Sequence, residues 1–167
     1  ANTNGAVEII TSNVTSTTGA ITITGSASAS WGFYIRSTSK IQSTSGAITI
    51  TGNAPSNVWG GYLAAADILS SSGAIVVDTK SSYGLVNGYT AVTDIGALSS
   101  GSSSSDVTLI GNIYWDGSTD VQIKTTGNVV IESTATDFTS ATIVNAHTFS
   151  GNASLRIGKS TNNTDMT

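Results

Sequence analysis

Apolar and polar residues alternate in short runs that return along the chain. Thr17-Thr18-Gly19-Ala20-Ile21-Thr22-Ile23-Thr24-Gly25 recurs as Thr44-Ser45-Gly46-Ala47-Ile48-Thr49-Ile50-Thr51-Gly52. It returns, weakened, as Ser71-Ser72-Gly73-Ala74-Ile75-Val76-Val77-Asp78-Thr79, and more distantly over 106–111, 127–132 and 153–158. The first inward residues of the copies are Ile21, Ile48, Ile75, Val107, Val129 and Leu155, separated by 27, 27, 32, 22 and 26 residues. Within each copy the pattern has period two, which predicts a strand with one buried and one wet face. Stacked in register, the inward pairs Ile21/Ile23, Ile48/Ile50, Ile75/Val77, Val107/Leu109, Val129/Ile131 and Leu155/Ile157 are all aliphatic. The outward pairs Thr22/Thr24, Thr49/Thr51, Val76/Asp78, Thr108/Ile110, Val130/Glu132 and Arg156/Gly158 are mixed and mostly polar.

Two further strands fit into each period. Val14, Ile41 and Ile68 each stand seven residues ahead of the inward Ile of a copy. Trp31-Gly32-Phe33-Tyr34-Ile35, Trp59-Gly60-Gly61-Tyr62-Leu63 and Tyr83-Gly84-Leu85-Val86 form another related set. Three short strands per period, joined by Ser, Gly and Asn turns, predict an all-β chain. The expected fold is a right-handed single-stranded parallel β-helix, one segment over residues 1–167 of about six coils. The Ser-rich run 98–105 reads as an enlarged turn that accounts for the 32-residue step, and 160–167 as a loose tail. A propeller blade would need about 40 residues and four strands. The leucine-rich framework is absent, and no window has the 3.6-residue period of a helix.

Composition refines this picture at a few points. The 27 Ser and 26 Thr, with 38% hydrophobic residues in β-branched runs, favour small polar turns around an apolar column rather than disorder. Charged residues are only 10% and the net charge is −4, with six scattered basic residues, so no nucleic-acid footprint is present. The absence of Cys rules out disulfides and thiolate metal sites. No apolar run approaches the roughly 18 residues of a membrane span. The first residues lack an initiating Met and a signal-peptide pattern, which reads as a piece of a longer exported repeat protein.

Catalytic chemistry finds few residues. His147 is the single histidine and no Gly-x-Ser-x-Gly elbow supports a nucleophilic Ser. Asp78 and Glu132 fall on one outward column with Ile110 between them, and Asp116 and Asp120 flank Gly117 without completing a calcium-loop pattern. No catalytic residue, metal ligand or cofactor is assigned. Alternation around Ile35 and Leu63 sends Trp31, Phe33 and Trp59 inward and turns Tyr34 and Tyr62 outward on successive coils. Such rings would form a flat amphipathic surface for stacking on sugar rings, or would simply stack on each other across the ladder. The columns Thr22/Thr49 and Thr24/Thr51 raise ice binding, although Val76 and Asp78 interrupt them.

The combination of Trp-Gly-x-Tyr-[Ile/Leu] or its near variant with [Ser/Thr]-Gly-Ala-Ile-Thr-Ile-Thr-Gly resembles the repeats of filamentous-haemagglutinin-like bacterial adhesins, most closely over residues 5–80. That resemblance implies a secreted or surface-displayed structural and adhesive segment of a giant protein. It also implies a cell-surface glycan or another surface protein as partner, and neighbouring coils or end-to-end self-association. The alternatives are a carbohydrate-active β-helix enzyme of the lyase or glycosidase type, and an ice- or polysaccharide-binding module.

Overall fold

The computed structural model describes residues 5–55, 57–79, 84–87, 92–97, 101–111, 113–115, 121–133, 148–150 and 154–159. Strands β1 (Val7–Ile10), β2 (Asn13–Ser16) and β3 (Ile21–Ser26) are followed by β4 (Phe33–Arg36), β5 (Lys40–Ser43) and β6 (Ile48–Asn53). Next come β7 (Gly61–Ala64), β8 (Asp67–Ser70) and β9 (Ile75–Asp78), then β10 (Leu85–Asn87), β11 (Thr93–Gly96) and β12 (Val107–Ile110). The remaining strands are β13 (Ile113–Trp115), β14 (Val121–Lys124), β15 (Asn128–Ser133), β16 (Thr148–Ser150) and β17 (Ser154–Lys159).

Each strand pairs in parallel with the strand three further on, except that β14 pairs with β16 and β15 with β17. The first sheet runs β1-β4-β7-β10-β13, the second β2-β5-β8-β11-β14-β16 and the third β3-β6-β9-β12-β15-β17. The result is an all-β solenoid of about four turns with a period near 27 residues. In the third sheet Ile21 pairs with Ile48, Ile48 with Ile75, Ile75 with Val107, Val107 with Val129 and Val129 with Leu155. This is the column read from the repeat. In the second sheet Val14, Ile41 and Ile68 form a ladder, and Ile95 and Ile123 extend it. Ile95 follows Ile68 by the same 27 residues and Ile123 follows Ile95 by 28, but they stand 12 and six residues ahead of Val107 and Val129 rather than seven, because the connections to the third sheet differ in length.

The three ladders meet in one apolar column. Ile41, Ile48, Ile50, Ile68, Ile75, Ile95, Leu109 and Ile123 are all fully buried, joined by Phe33, Ile35 and Leu63 from the first sheet. A turn on its own leaves these side chains in water, so the burial is gained only by stacking, at roughly 1.5–3 kcal/mol per large aliphatic residue. The same stacking pairs the backbone, and it continues through the corners. The amides of Ile21, Ile48 and Ile75 donate to the carbonyls of Ala47, Ala74 and Asp106, each at 2.8 Å.

Two glycine requirements follow from this closeness. A Cβ at Gly25 or Gly52 would collide with the carbonyl of Gly32 or Gly60, where the third sheet hands the chain to the first. A Cβ at Gly61 would land in the Phe33 ring, because Phe33 lies directly against Gly61 in the neighbouring turn. Other corners bend without glycine. Thr11, Ser37 and Ala65, the residues just after β1, β4 and β7, take positive φ of 49°, 60° and 54°. Three consecutive turns therefore repeat the same left-handed bend with ordinary side chains, held by the ladders on either side.

Hydroxyl groups are part of the interior as well as the surface. Ser39 is fully buried, with Oγ 2.6 Å from the Arg36 carbonyl and 3.1 Å from that of Ile9, and it accepts from the Ser12 N–H at 3.2 Å. Ser43 and Ser70 accept from the N–H of Gly46 and Gly73, both at 2.9 Å, and Thr125 accepts from Gly127 at 3.0 Å. The described part of the Ser-rich insertion joins this corner stack. Ser103 Oγ donates to the Ser70 carbonyl at 2.6 Å, and the Ser104 N–H donates to Ser71 at 2.8 Å. Ser103, Ser104 and Ser105 are thus packed on the preceding corner.

Two outcomes follow. Gly61→Ala is expected to lower unfolding stability by about 2 kcal/mol or more through overpacking, and Phe33→Leu in the same chain to recover part of it. Urea titration of the two variants checks this, and equal stability of Gly61→Ala and the parent would contradict the packing. Ser70→Ala is expected to cost about 1–3 kcal/mol because it strands the buried Gly73 N–H. The same titration reads it.

Candidate functional site

Among the described residues, aromatic side chains gather on the outward face of the first sheet. Phe33 and Ile35 are fully buried, so Tyr34 and Arg36 between and beyond them face out. In the next turn, Tyr62 lies between buried Gly61 and Leu63 and also faces out. Tyr34 pairs directly with Tyr62, as Glu8 does with Tyr34 on the other side. The expected outward pair of Tyr residues on successive turns is therefore in place.

Trp31 departs from the expected alternation. It precedes β4, and the strand's period-two geometry does not extend back through Gly32 to reach it. Its half-buried indole lies on the outside, stacked on Tyr62 with centroids 4.9 Å apart and planes 17° apart. Trp59, likewise ahead of β7, is half-buried and not a member of the core, whereas Phe33 is inward as expected. Tyr34 meets Trp31 edge-on at 4.8 Å and 69°, and Tyr62 at 5.1 Å and 83°. The two phenol rings are thus nearly perpendicular and do not make one flat plane. The parallel pair is Trp31 with Tyr62, and Tyr34 buttresses both.

Arg36 completes the cluster. Its guanidinium carbon sits 5.1 Å from the Tyr34 ring centroid, within cation–π range. Its Nε is buried and has no hydrogen-bond partner among the described residues. The neighbouring cation differs: Lys40 Nζ pairs with Asp67 Oδ2 at 3.6 Å across β5 and β8. Half-exposed pairs of this kind contribute at most about 1 kcal/mol.

Among the described residues the carboxylates do not gather. Asp78, Ile110 and Glu132 occupy one outward column in that order, with Ile110 separating the two acids. Asp106 Oδ1 accepts from the Asn128 N–H at 2.8 Å and from its Nδ2 at 3.1 Å, a structural tie between turns. Among the described residues no group of three or more His, Cys, Asp or Glu converges on a point. Asp116, Asp120 and His147 lie outside the described residues. Thr22 pairs with Thr49 and Thr24 with Thr51, after which Val76 and Asp78 replace the hydroxyls. Two shallow depressions lie along the second sheet and its corner. One, of about 140 Å³, is lined by Gln42, Leu69, Ala97 and Ser102 among others, and another, of about 360 Å³, by Thr15, Thr17, Gln42 and Thr44. Neither lining includes an ionisable side chain. No helix among the described residues is long and apolar enough to cross a membrane.

Sequence pattern placed Tyr34 and Tyr62 but missed Trp31 and Arg36. Arg36 could have been found from its position two residues beyond Tyr34 in the same strand, which puts both on one face. Trp31 could not, since its direction is set by a corner. A double-mutant cycle with Tyr34→Leu and Tyr62→Leu is expected to give a coupling of about 0.5–1.5 kcal/mol in unfolding stability. Strictly additive losses would mean that the rings do not contact in solution.

Comparison of the chain with protein-family profiles, with curated proteins and with solved structures gave no match in any of the three.

Proposed function

We propose that this chain is a structural and adhesive segment of a large exported bacterial surface protein, similar to filamentous-haemagglutinin-like adhesins. In this reading it is a right-handed single-stranded parallel β-helix of about six coils. It spaces and presents contact sites on the cell surface, catalyses no reaction and holds no cofactor. The contact site is the outward aromatic face of the first sheet, and its partner is a cell-surface glycan.

The observation that carries this reading is the juxtaposition of Trp31, Tyr34 and Tyr62 on the outside of an in-register stack. A core column needs no outward aromatics, and polar residues would serve solubility better there. Half-buried indole and phenol rings present C–H-binding faces together with hydroxyl groups, the combination that suits sugars. The solenoid supplies rigidity, since each turn is held by its neighbours through backbone ladders and buried aliphatics.

The test is a broad glycan array probed with the purified chain and with Tyr34→Ala/Tyr62→Ala. Specific binding by the parent, lost in the double variant while the β-sheet circular dichroism spectrum persists, is the expected result. Absence of binding to any glycan would overturn the aromatic contact site and leave a passive spacer.

A further inference from the structure

We infer that the aromatic face takes a carboxylate-bearing sugar, with the Arg36 guanidinium as the group that recognises the acid. This rests on the glycan-contact reading above and adds the ligand's charge. Arg36 projects from β4 on the same side as Tyr34, and its guanidinium lies over that ring at 5.1 Å. Among the described residues, folding has removed water from its Nε without supplying an acceptor, and the guanidinium forms no ion pair. Nε itself is closed to solvent, so an anionic ligand group would meet the guanidinium at its Nη donors and supply the charge partner that it lacks. Lys40, in β5 of the second sheet, is engaged by Asp67 at 3.6 Å. Among the described strands of the first sheet, Arg36 is the one cation.

The chemistry of the two halves fits one class of ligand. The planar guanidinium presents its donors in a fork that matches both oxygens of a carboxylate. The Trp31–Tyr62 stack, with planes 17° apart, offers an apolar surface beside it for the C–H face of a pyranose. Tyr34, wedged edge-on between them, holds the charge and the stack at a fixed separation. A neutral sugar would use the rings alone, and a simple carboxylate the arginine alone. A uronic or sialic acid uses both.

The experiment measures affinity of the chain for an acidic oligosaccharide and for the same oligosaccharide with its carboxylate reduced to the alcohol. Parent, Arg36→Gln and Tyr34→Ala/Tyr62→Ala are compared, with circular dichroism and melting confirming the fold of each. The parent is expected to bind the acid about 10- to 100-fold more tightly than its reduced form. Arg36→Gln should abolish that ratio while keeping the weak affinity for the reduced form, and the tyrosine variant should lose both. Equal parental affinity for the acidic and reduced sugars, lost in the tyrosine variant, would overturn the role of Arg36 and leave the glycan-contact reading standing. No binding of either sugar overturns both. Should Arg36→Gln melt well below the parent, Arg36→Lys decides the matter. It keeps the charge but not the fork, so undiminished preference for the acid in that variant would contradict bidentate recognition.

Discussion

Parallel stacking in strict register is the constraint from which the other features of this molecule descend. Because side chains alternate along a strand, a slip of one residue between turns would send every inward Ile to solvent and bring Thr or Asp inside. The register is therefore held by the whole ladder: Ile21, Ile48 and Ile75 must superpose for any of them to be buried. Once they do, the backbone of each turn finds its hydrogen-bond partners in the next, and the dry column becomes continuous. No turn has a core of its own, so stability belongs to the stack.

The same constraint explains the corners. Adjacent turns lie about 4.8 Å apart everywhere, including where the chain bends, so each corner must fit against the one beside it. Where backbones approach too closely for a Cβ, as at Gly25 and Gly52, glycine is required. Where space allows, Thr11, Ser37 and Ala65 adopt the left-handed bend that glycine usually takes. The polar groups that the bends expose to the interior are satisfied by buried hydroxyls such as Ser39, Ser43 and Ser70. A composition rich in Ser and Thr is thus divided between a wet outer surface and an internal set of short hydrogen-bond caps.

Outward positions escape this discipline, and that is where a solenoid has room for specificity. The third sheet uses its freedom loosely, with Thr, Val, Asp, Ile and Glu succeeding one another in its outer columns. The first sheet instead assembles an indole, two phenols and a guanidinium within two turns. Neighbouring turns bring residues close that are far apart along the chain, so a site can be built from single outward positions without any dedicated loop. The proposed contact with an acidic glycan uses that economy.

The repeat alone determined much of this. The period-two alternation and the recurrence of the Ile-Thr-Ile-Thr segment establish the strands of the third sheet, their facing and their register, since only one superposition buries all the aliphatics. The alternating Tyr34 and Tyr62 were legible for the same reason. What escaped the sequence depends on corners and on side-chain direction outside strands. Ile95 and Ile123 belong to the second ladder although they stand 12 and six residues, not seven, ahead of Val107 and Val129. Ser39 and Ser70 are interior, but nothing in their identity distinguishes them from the exposed Ser and Thr around them. Trp31 breaks the alternation that sent it inward because Gly32 ends the strand geometry, and the indole then finds Tyr62 in the next turn. Periodicity reports on regular backbone, where each residue's direction follows from its neighbour's. At corners that rule lapses, and only packing between turns decides where a side chain goes.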